Sequence, residues 1–163
     1  MRLIDEKKII IVALILLVSV GGYLWHSQQP EHQIGKAVDQ FLEHVEHRKI
    51  SIRNKDDVHN ALSKILADTI EFHGVSPLPT NDMTLEQTLD KIDQFQALTT
   101  LCEITVSERT IQIIESKAQV YLTTEIHVAV GKNNQVKQNW ELILDLKEKD
   151  DWRITGLRGK RLE

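Results

Sequence analysis

The sequence predicts an α+β domain, three helices packed on a curved antiparallel sheet, carried behind one N-terminal transmembrane helix. Three observations predict it. Residues 9–25 contain no charge. Between residues 31 and 98, apolar residues recur at helical spacing in three blocks. From residue 102 onward the apolar period switches to two.

The uncharged run is built from Ile9, Ile10, Ile11, Val12, Leu14, Ile15, Leu16, Leu17 and Val18. Tyr23 and Trp25 close it, where amphipathic rings prefer a membrane interface. At helical rise the segment spans about 25 Å, enough to enter a bilayer. Pro30 ends it. Arg2, Lys7 and Lys8 precede the run, and Lys36 is the only Lys or Arg in the twenty residues after it. Positive-inside logic then places residues 1–8 in the cytoplasm, 9–25 across the inner membrane, 26–30 as a linker and 31–163 as a periplasmic domain. A cleaved signal peptide, with Ser19 and Gly21 near the cleavage point, is the rival reading. Either one puts the domain outside the cytoplasm.

The remainder has an ordinary globular composition. Of the 163 residues, 41% are hydrophobic and 27% charged, which argues against disorder. Beyond residue 8 there remain 17 basic and 22 acidic residues, a net −5. A mildly acidic domain lacks the electrostatic footprint of a nucleic-acid binder. The basic cluster Arg153, Arg158, Lys160 and Arg161 reads as a solvated terminal strand. Cys102 is the only cysteine, so the fold must stand on its core without a disulfide.

The first helix is expected over 31–48, with Ile34, Val38, Phe41, Leu42 and Val45 on one stripe. The second is expected over 55–67, striped by Val58, Leu62 and Ile65, with Asn54 as N-cap and Asp56 and Asp57 at its positive start. A short strand follows at 69–73, with Ile70 and Phe72 facing one way, and then a proline-bearing loop over 74–82. The third helix is expected over 85–98, where Thr84 and Gln87 make a capping-box pattern.

In the sheet, Cys102, Ile104 and Val106 face inward at even positions, but Ile111 and Ile113 do so at odd ones. One residue of phase is lost between Ser107 and Thr110. Either two strands meet there, or one long strand carries a bulge that bends the sheet. Ala118 to Val130 and Val136 to Leu146 then alternate cleanly, and Trp152 and Ile154 begin a last strand. A three-residue loop over 133–135 is the favoured hairpin connection. It sets His127 opposite Glu141 and Glu125 opposite Ile143, and avoids the Glu125–Glu141 repulsion of a five-residue loop.

Three helices, the short 69–73 strand, a long curved meander and the ending Asp151-Trp152-Arg153-Ile154 resemble the nuclear transport factor two-like superfamily. That superfamily includes ketosteroid isomerases, polyketide cyclases and scytalone dehydratase. The resemblance spans roughly residues 31–162 and implies a cone, with a small-ligand pocket at its open end. Membrane-anchored members of similar layout include inner-membrane assembly factors of type IV secretion and mycobacterial transporter-associated proteins.

The resemblance also directs attention to certain residues. Related enzymes keep catalytic groups around the short strand, which makes Asp68, Glu71 and His73 the acid/base candidates, His73 with Glu71 foremost. The isomerases place a tyrosine on the first helix; this chain has none there, its tyrosines being Tyr23 and Tyr121. His44 and His47, flanked by Glu43 and Glu46, have a metal-compatible spacing. The apolar stripe turns most of them to water, so no metal or cofactor is expected. Superfamily members often dimerise through the outer sheet face, which marks Tyr121, Glu125, His127, Glu141 and Ile143 as an interface. The function expected from all this is a non-catalytic, anchored binding or assembly module. A ligand-binding or enzymatic cone and a type IV secretion-like assembly factor are the alternatives.

Overall fold

The computed structural model describes residues 29–48, 54–74, 80–131 and 134–163. The segment expected to cross a membrane, 9–25, lies outside them. Among the described residues no helix is long and apolar enough to cross a bilayer. The chain divides into two units, Met1–Gln33 and Ile34–Glu163. Of the first, the described part is the opening turn of helix α1.

Helix α1 runs Pro30–Val45 and buries Ile34, Ala37, Val38, Phe41 and Leu42, the stripe that its period announces. It stops three residues earlier than expected, because His47 and Arg48 form a two-residue strand, β1, paired with Leu101 and Cys102. Helix α2, Lys55–Ile65, starts on Asn54, whose side chain accepts the Asp56 N–H. It ends two residues early, because the chain passes directly into strand β2, Leu66–His73. Strand β3, Asp82–Thr84, pairs antiparallel with β2 and holds one buried residue, Met83. Helix α3, Leu85–Leu98, carries the full capping box: Gln87 N–H reaches the Thr84 hydroxyl at 3.2 Å, and Thr84 N–H reaches Gln87 Oε1 at 3.0 Å.

Strands β4 (Leu101–Ile114), β5 (Lys117–Val130), β6 (Asn134–Glu148) and β7 (Trp152–Arg161) form the meander. The sheet order is β1-β4-β5-β6-β7-β2-β3, with β2 parallel to β7. The phase loss in β4 is a bulge within one strand: the register shifts between Val106 and Glu108, and the Ser107 hydroxyl bonds to the Thr123 carbonyl at 3.1 Å. A second shift, between Asp145 and Leu146 against β7, changes which residues of β7 face inward. Trp152 and Ile154 are buried before it and Leu157 after it.

The hairpin register corrects one expectation. Gly131 opens the β5–β6 turn at φ +69°, and pairing begins at Val130 with Asn134. Tyr121 therefore lies opposite Ile143, Glu125 opposite Asn139 and His127 opposite Lys137. The Glu125–Ile143 and His127–Glu141 pairings are not made.

The core is the inner sheet face against the helices: Val120, Leu122, Leu142, Leu144 and Ile154 meet Ile34, Val38, Leu62 and Leu89. Cys102 is buried. Burial pushes its thiol up to about 12, helped by the nearby Glu46 and Glu103 carboxylates, which makes it an inert packing group.

An ionic cluster joins α2 to α3. His59 Nε2 lies 3.0 Å from both oxygens of Asp93, and Lys55 Nζ lies 2.6 Å from one of them. Burial raises the Asp93 carboxyl, but the hydrogen bonds and charges of Lys55 and His59 outweigh that and hold it below its ordinary 3.8. A lowered carboxyl stabilises the fold above its unfolded-state value, and that contribution is lost as pH falls through the folded one. Lys55, raised chiefly by its hydrogen bond to Asp93, contributes below its ordinary 10.5 and loses this as pH rises past it. Asp93→Asn is expected to cost about 1 kcal/mol near neutrality. In urea titrations the gap between variant and parent closes as pH falls through the depressed Asp93 carboxyl, below its ordinary range. A gap that persists there would mean that Asp93 acts through packing.

Candidate functional site

Alternation in four long strands divides the sheet into an apolar inner face and a polar outer one. The outer face gathers both sets of sequence-predicted residues. Strand β2 buries Ile70 and Phe72 and exposes Glu71 and His73 on the opposite side, where His73 Nε2 lies 3.8 Å from Glu71 Oε2. The parallel pairing sets Glu71 beside Gly156 and His73 beside Arg158. Asp68 is also exposed. Glu71 and His73 thus stand with Tyr121 and Ile143 on the outside of the sheet. They are not gathered in its interior.

A polar network crosses the centre of this face. Tyr121 donates to Gln119 Oε1 at 2.8 Å, and Gln119 Nε2 donates to Asp145 Oδ1 at 2.8 Å. Arg158 grips the same carboxylate from the other side, Nε to Oδ2 at 3.1 Å and an Nη to Oδ1 at 2.8 Å. Gly156 leaves room for this: a Cβ there would fall 3.2 Å from Asp145 Oδ2. Toward the other end of the face, charges alternate in sign. Glu103 lies between Arg48 and His127, the latter at 3.5 Å, and Lys137 meets Glu125 at 2.8 Å. Glu141 lies opposite Lys160 across β6 and β7.

Near the β4 edge, side chains first read as solvated serve the fold. The Glu46 carboxylate accepts the Ile104 N–H at 2.7 Å, satisfying an edge donor of β4. His47 Nε2 lies 2.8 Å from the Thr99 hydroxyl, and its ring packs edge-on against Phe95. His44 Nδ1 lies 2.6 Å from the Gln40 carbonyl oxygen. Among the described residues no three His, Cys, Asp or Glu side chains gather as a metal ligand set. Asp39 pairs with Arg109, tying α1 to the strand just past the bulge.

Sequence reading missed Asp145, Gln119, Arg158 and Arg109. The available signal was an acid, Asp145, interrupting the apolar run 142–146 of β6, facing a cation-bearing last strand; with the hairpin register set wrongly its partners could not be found.

Among solved structures, the chain is similar to an NTF2-like protein from Cytophaga hutchinsonii, with a TM-score of 0.60 at 13% identity over 83% of this chain and 100% of that one. A protein of the NTF2-like family from Streptomyces avermitilis, provisionally assigned as a dehydratase, gives 0.64 at 13% identity over 82% and 97%.

The domain has the NTF2-like fold.

The chain is also similar to the CaMKII hub of S. rosetta, with a TM-score of 0.63 at 10% identity over 80% of this chain and 95% of that one. Identities this low show the fold alone. No family model matches the chain, and no curated protein matches its sequence.

Proposed function

We propose that this chain is a membrane-anchored extracytoplasmic module, held by residues 9–25, whose NTF2-like domain associates with a second copy of itself, or a protein partner, through its outer sheet face. The observation that carries the reading is the pairing of Tyr121 with Ile143, half-buried within a surround of charges of both signs. An aromatic and aliphatic anchor inside a polar rim is the anatomy of a protein interface. Mixed charge on one face also lets it complement itself across a two-fold axis.

Binding is favoured over catalysis by what occupies the interior. Among the described residues the buried hydroxyl side chains are Thr88, Thr99 and Thr124, each bonded to a backbone carbonyl, and the Trp152 indole N–H, a group that does not titrate, is buried without a partner. General acid/base chemistry needs a titratable group facing substrate. Asp68 is exposed, and Glu71 and His73 face solvent on the other side of the sheet. The ligand-binding or enzymatic cone would draw on the likeness to the Streptomyces avermitilis protein, which bears on fold alone.

The test uses the full chain in its native membrane. The protein is expected to resist alkaline carbonate extraction and to yield a crosslinked dimer. Ile143→Arg, which places a charge in the middle of the face, is expected to lower the crosslinked fraction at least tenfold while leaving the chain in the membrane. Release by carbonate would overturn the anchor; a wild-type chain recovered as monomer alone would overturn the interface.

A further inference from the structure

At the hairpin end of the outer face, three cations stand in one row. Lys117 is directly opposite Lys147, and Lys147 is directly opposite Arg153. Like charges opposed across a sheet repel. Elsewhere on the face Glu103, Glu125 and Asp145 each have a basic partner, and where Glu71 lies opposite Asp82 the His73 ring stands 3.8 Å from Glu71. Among the described residues none of the three cations has an ion-pair partner. Of the acids close in sequence, Glu115, Glu148, Asp150 and Asp151 belong to the turns or their edges and bond to none of them, and Asp145, two residues from Lys147 on the same face, is held by Arg158 and Gln119. In a chain of net charge −4, this is a local positive field that folding alone does not explain.

The row borders a depression of about 390 Å³ between β4, β5, β6 and β7. Lys117 and Lys147 form part of its wall, with Gln112, Gln119 and Thr155 as polar neighbours and Ile114, 73% exposed, as an apolar side. One carboxylate lines it, Asp145, and its oxygens are taken up by Arg158 and Gln119. That network neutralises the acid and orients the Gln119 amide, which retains a second N–H to donate. Thr155 gives its hydroxyl proton to the Asp145 carbonyl at 3.2 Å and keeps its lone pairs.

We propose that this depression is a binding site for a phosphate-bearing ligand. The two ammonium groups in its wall, Lys117 and Lys147, match the near-double charge of a phosphate monoester better than the single charge of a carboxylate, and Arg153 adds to the positive field from the next position in the row. The Gln112 and Gln119 amides supply neutral donors, and Ile114 offers the organic part of the ligand an apolar contact. The site goes beyond the self-association reading and does not depend on it. The same phosphomonoester chemistry is available from a soluble phosphate ester or from the headgroup of phosphatidic acid, and the experiment separates the two.

Full-length protein in neutral detergent at low ionic strength is unfolded thermally with added inorganic phosphate, against sodium chloride of equal ionic strength. A ligand that binds the folded state raises the midpoint by mass action, whereas screening acts equally in both salts. Phosphate is expected to raise the midpoint several degrees above chloride. Lys147→Gln is expected to do two opposite things: raise the ligand-free midpoint, because the repulsion is relieved, and abolish the phosphate increment. Lys117→Gln, read the same way, covers a variant that fails to fold. Replacing phosphate with phosphatidic acid, whose headgroup is a phosphomonoester, against phosphatidylcholine in mixed micelles assigns the source. A response to the free ion indicates a soluble ligand, and a response to phosphatidic acid alone indicates a headgroup. No increment from either, or an increment kept by both variants, overturns the site.

Discussion

Replacing Leu144 with alanine is expected to destabilise the domain by about 2–5 kcal/mol, within the range for a fully buried leucine. Leu144 is 0% exposed and occupies the middle of β6, opposite Val120 on β5 and Leu157 on β7, all on the inner face. Its neighbours cannot collapse into the void, since each is fixed by a hydrogen-bonded strand. The control is the next residue along the chain. Ile143 faces outward and half-exposed, so Ile143→Ala is expected to cost under about 1 kcal/mol. Chemical denaturation of both variants measures the parity of β6 directly. Equal losses, or a larger loss at Ile143, would place the core on the other face and undo the assignment of Tyr121 and Ile143 to an interface.

That parity was legible in the sequence, and the register was not, for one physical reason. Side chains alternate with period two, so sliding β6 along β5 by an even number of residues leaves every residue on its own face. The expected and observed pairings differ by such an even slide: Ile143 lies opposite Tyr121 and not Glu125. Core residues such as Val120, Leu122 and Leu144 were therefore identifiable from periodicity alone, while cross-strand partners were open. Gly131 was the useful cue, since its positive φ marks where the turn begins. Helix ends were lost for a related reason. Val45 and Ile65 end their helices because the following residues pair with distant strands, and no local propensity announces a partner fifty or ninety residues away.

The candidate site divides in the same way. His73 and Glu71 share a face, as their spacing dictates, but which face depends on how β2 docks beside β7. The strand was recognised by Ile70 and Phe72, and these take the interior. The acid/base pair is consequently left outside. Asp145 illustrates the opposite case. A carboxylate in a strand of leucines looks costly until Arg158 and Gln119 are seen to hold it, and both come from strands whose register the sequence leaves open.

The junction that keeps His73 beside Arg158 rests on one glycine, and Gly74→Ala is expected to cost roughly 2–4 kcal/mol. Two effects combine there. Gly74 has φ +71°, a left-handed conformation that costs an L-residue with a Cβ about 1–2 kcal/mol. A Cβ would also lie 2.5 Å from the carbonyl oxygen of Gly159. That oxygen belongs to the backbone of β7, so relief requires the two strands to part. Gly131→Ala separates the terms. Its φ is +69°, nearly the same, but among the described residues no atom beyond its chain neighbours lies within 4 Å of the added Cβ. It should show the conformational cost alone, about 1–2 kcal/mol. Hydrogen exchange then distinguishes local from global loss: Gly74→Ala is expected to release the amides of Phe72 and His73 selectively, while those of β5 stay protected. If the two alanine variants prove equally stable, β2 does not approach β7 as closely as described, and the placement of Glu71 and His73 on the outer face loses its support.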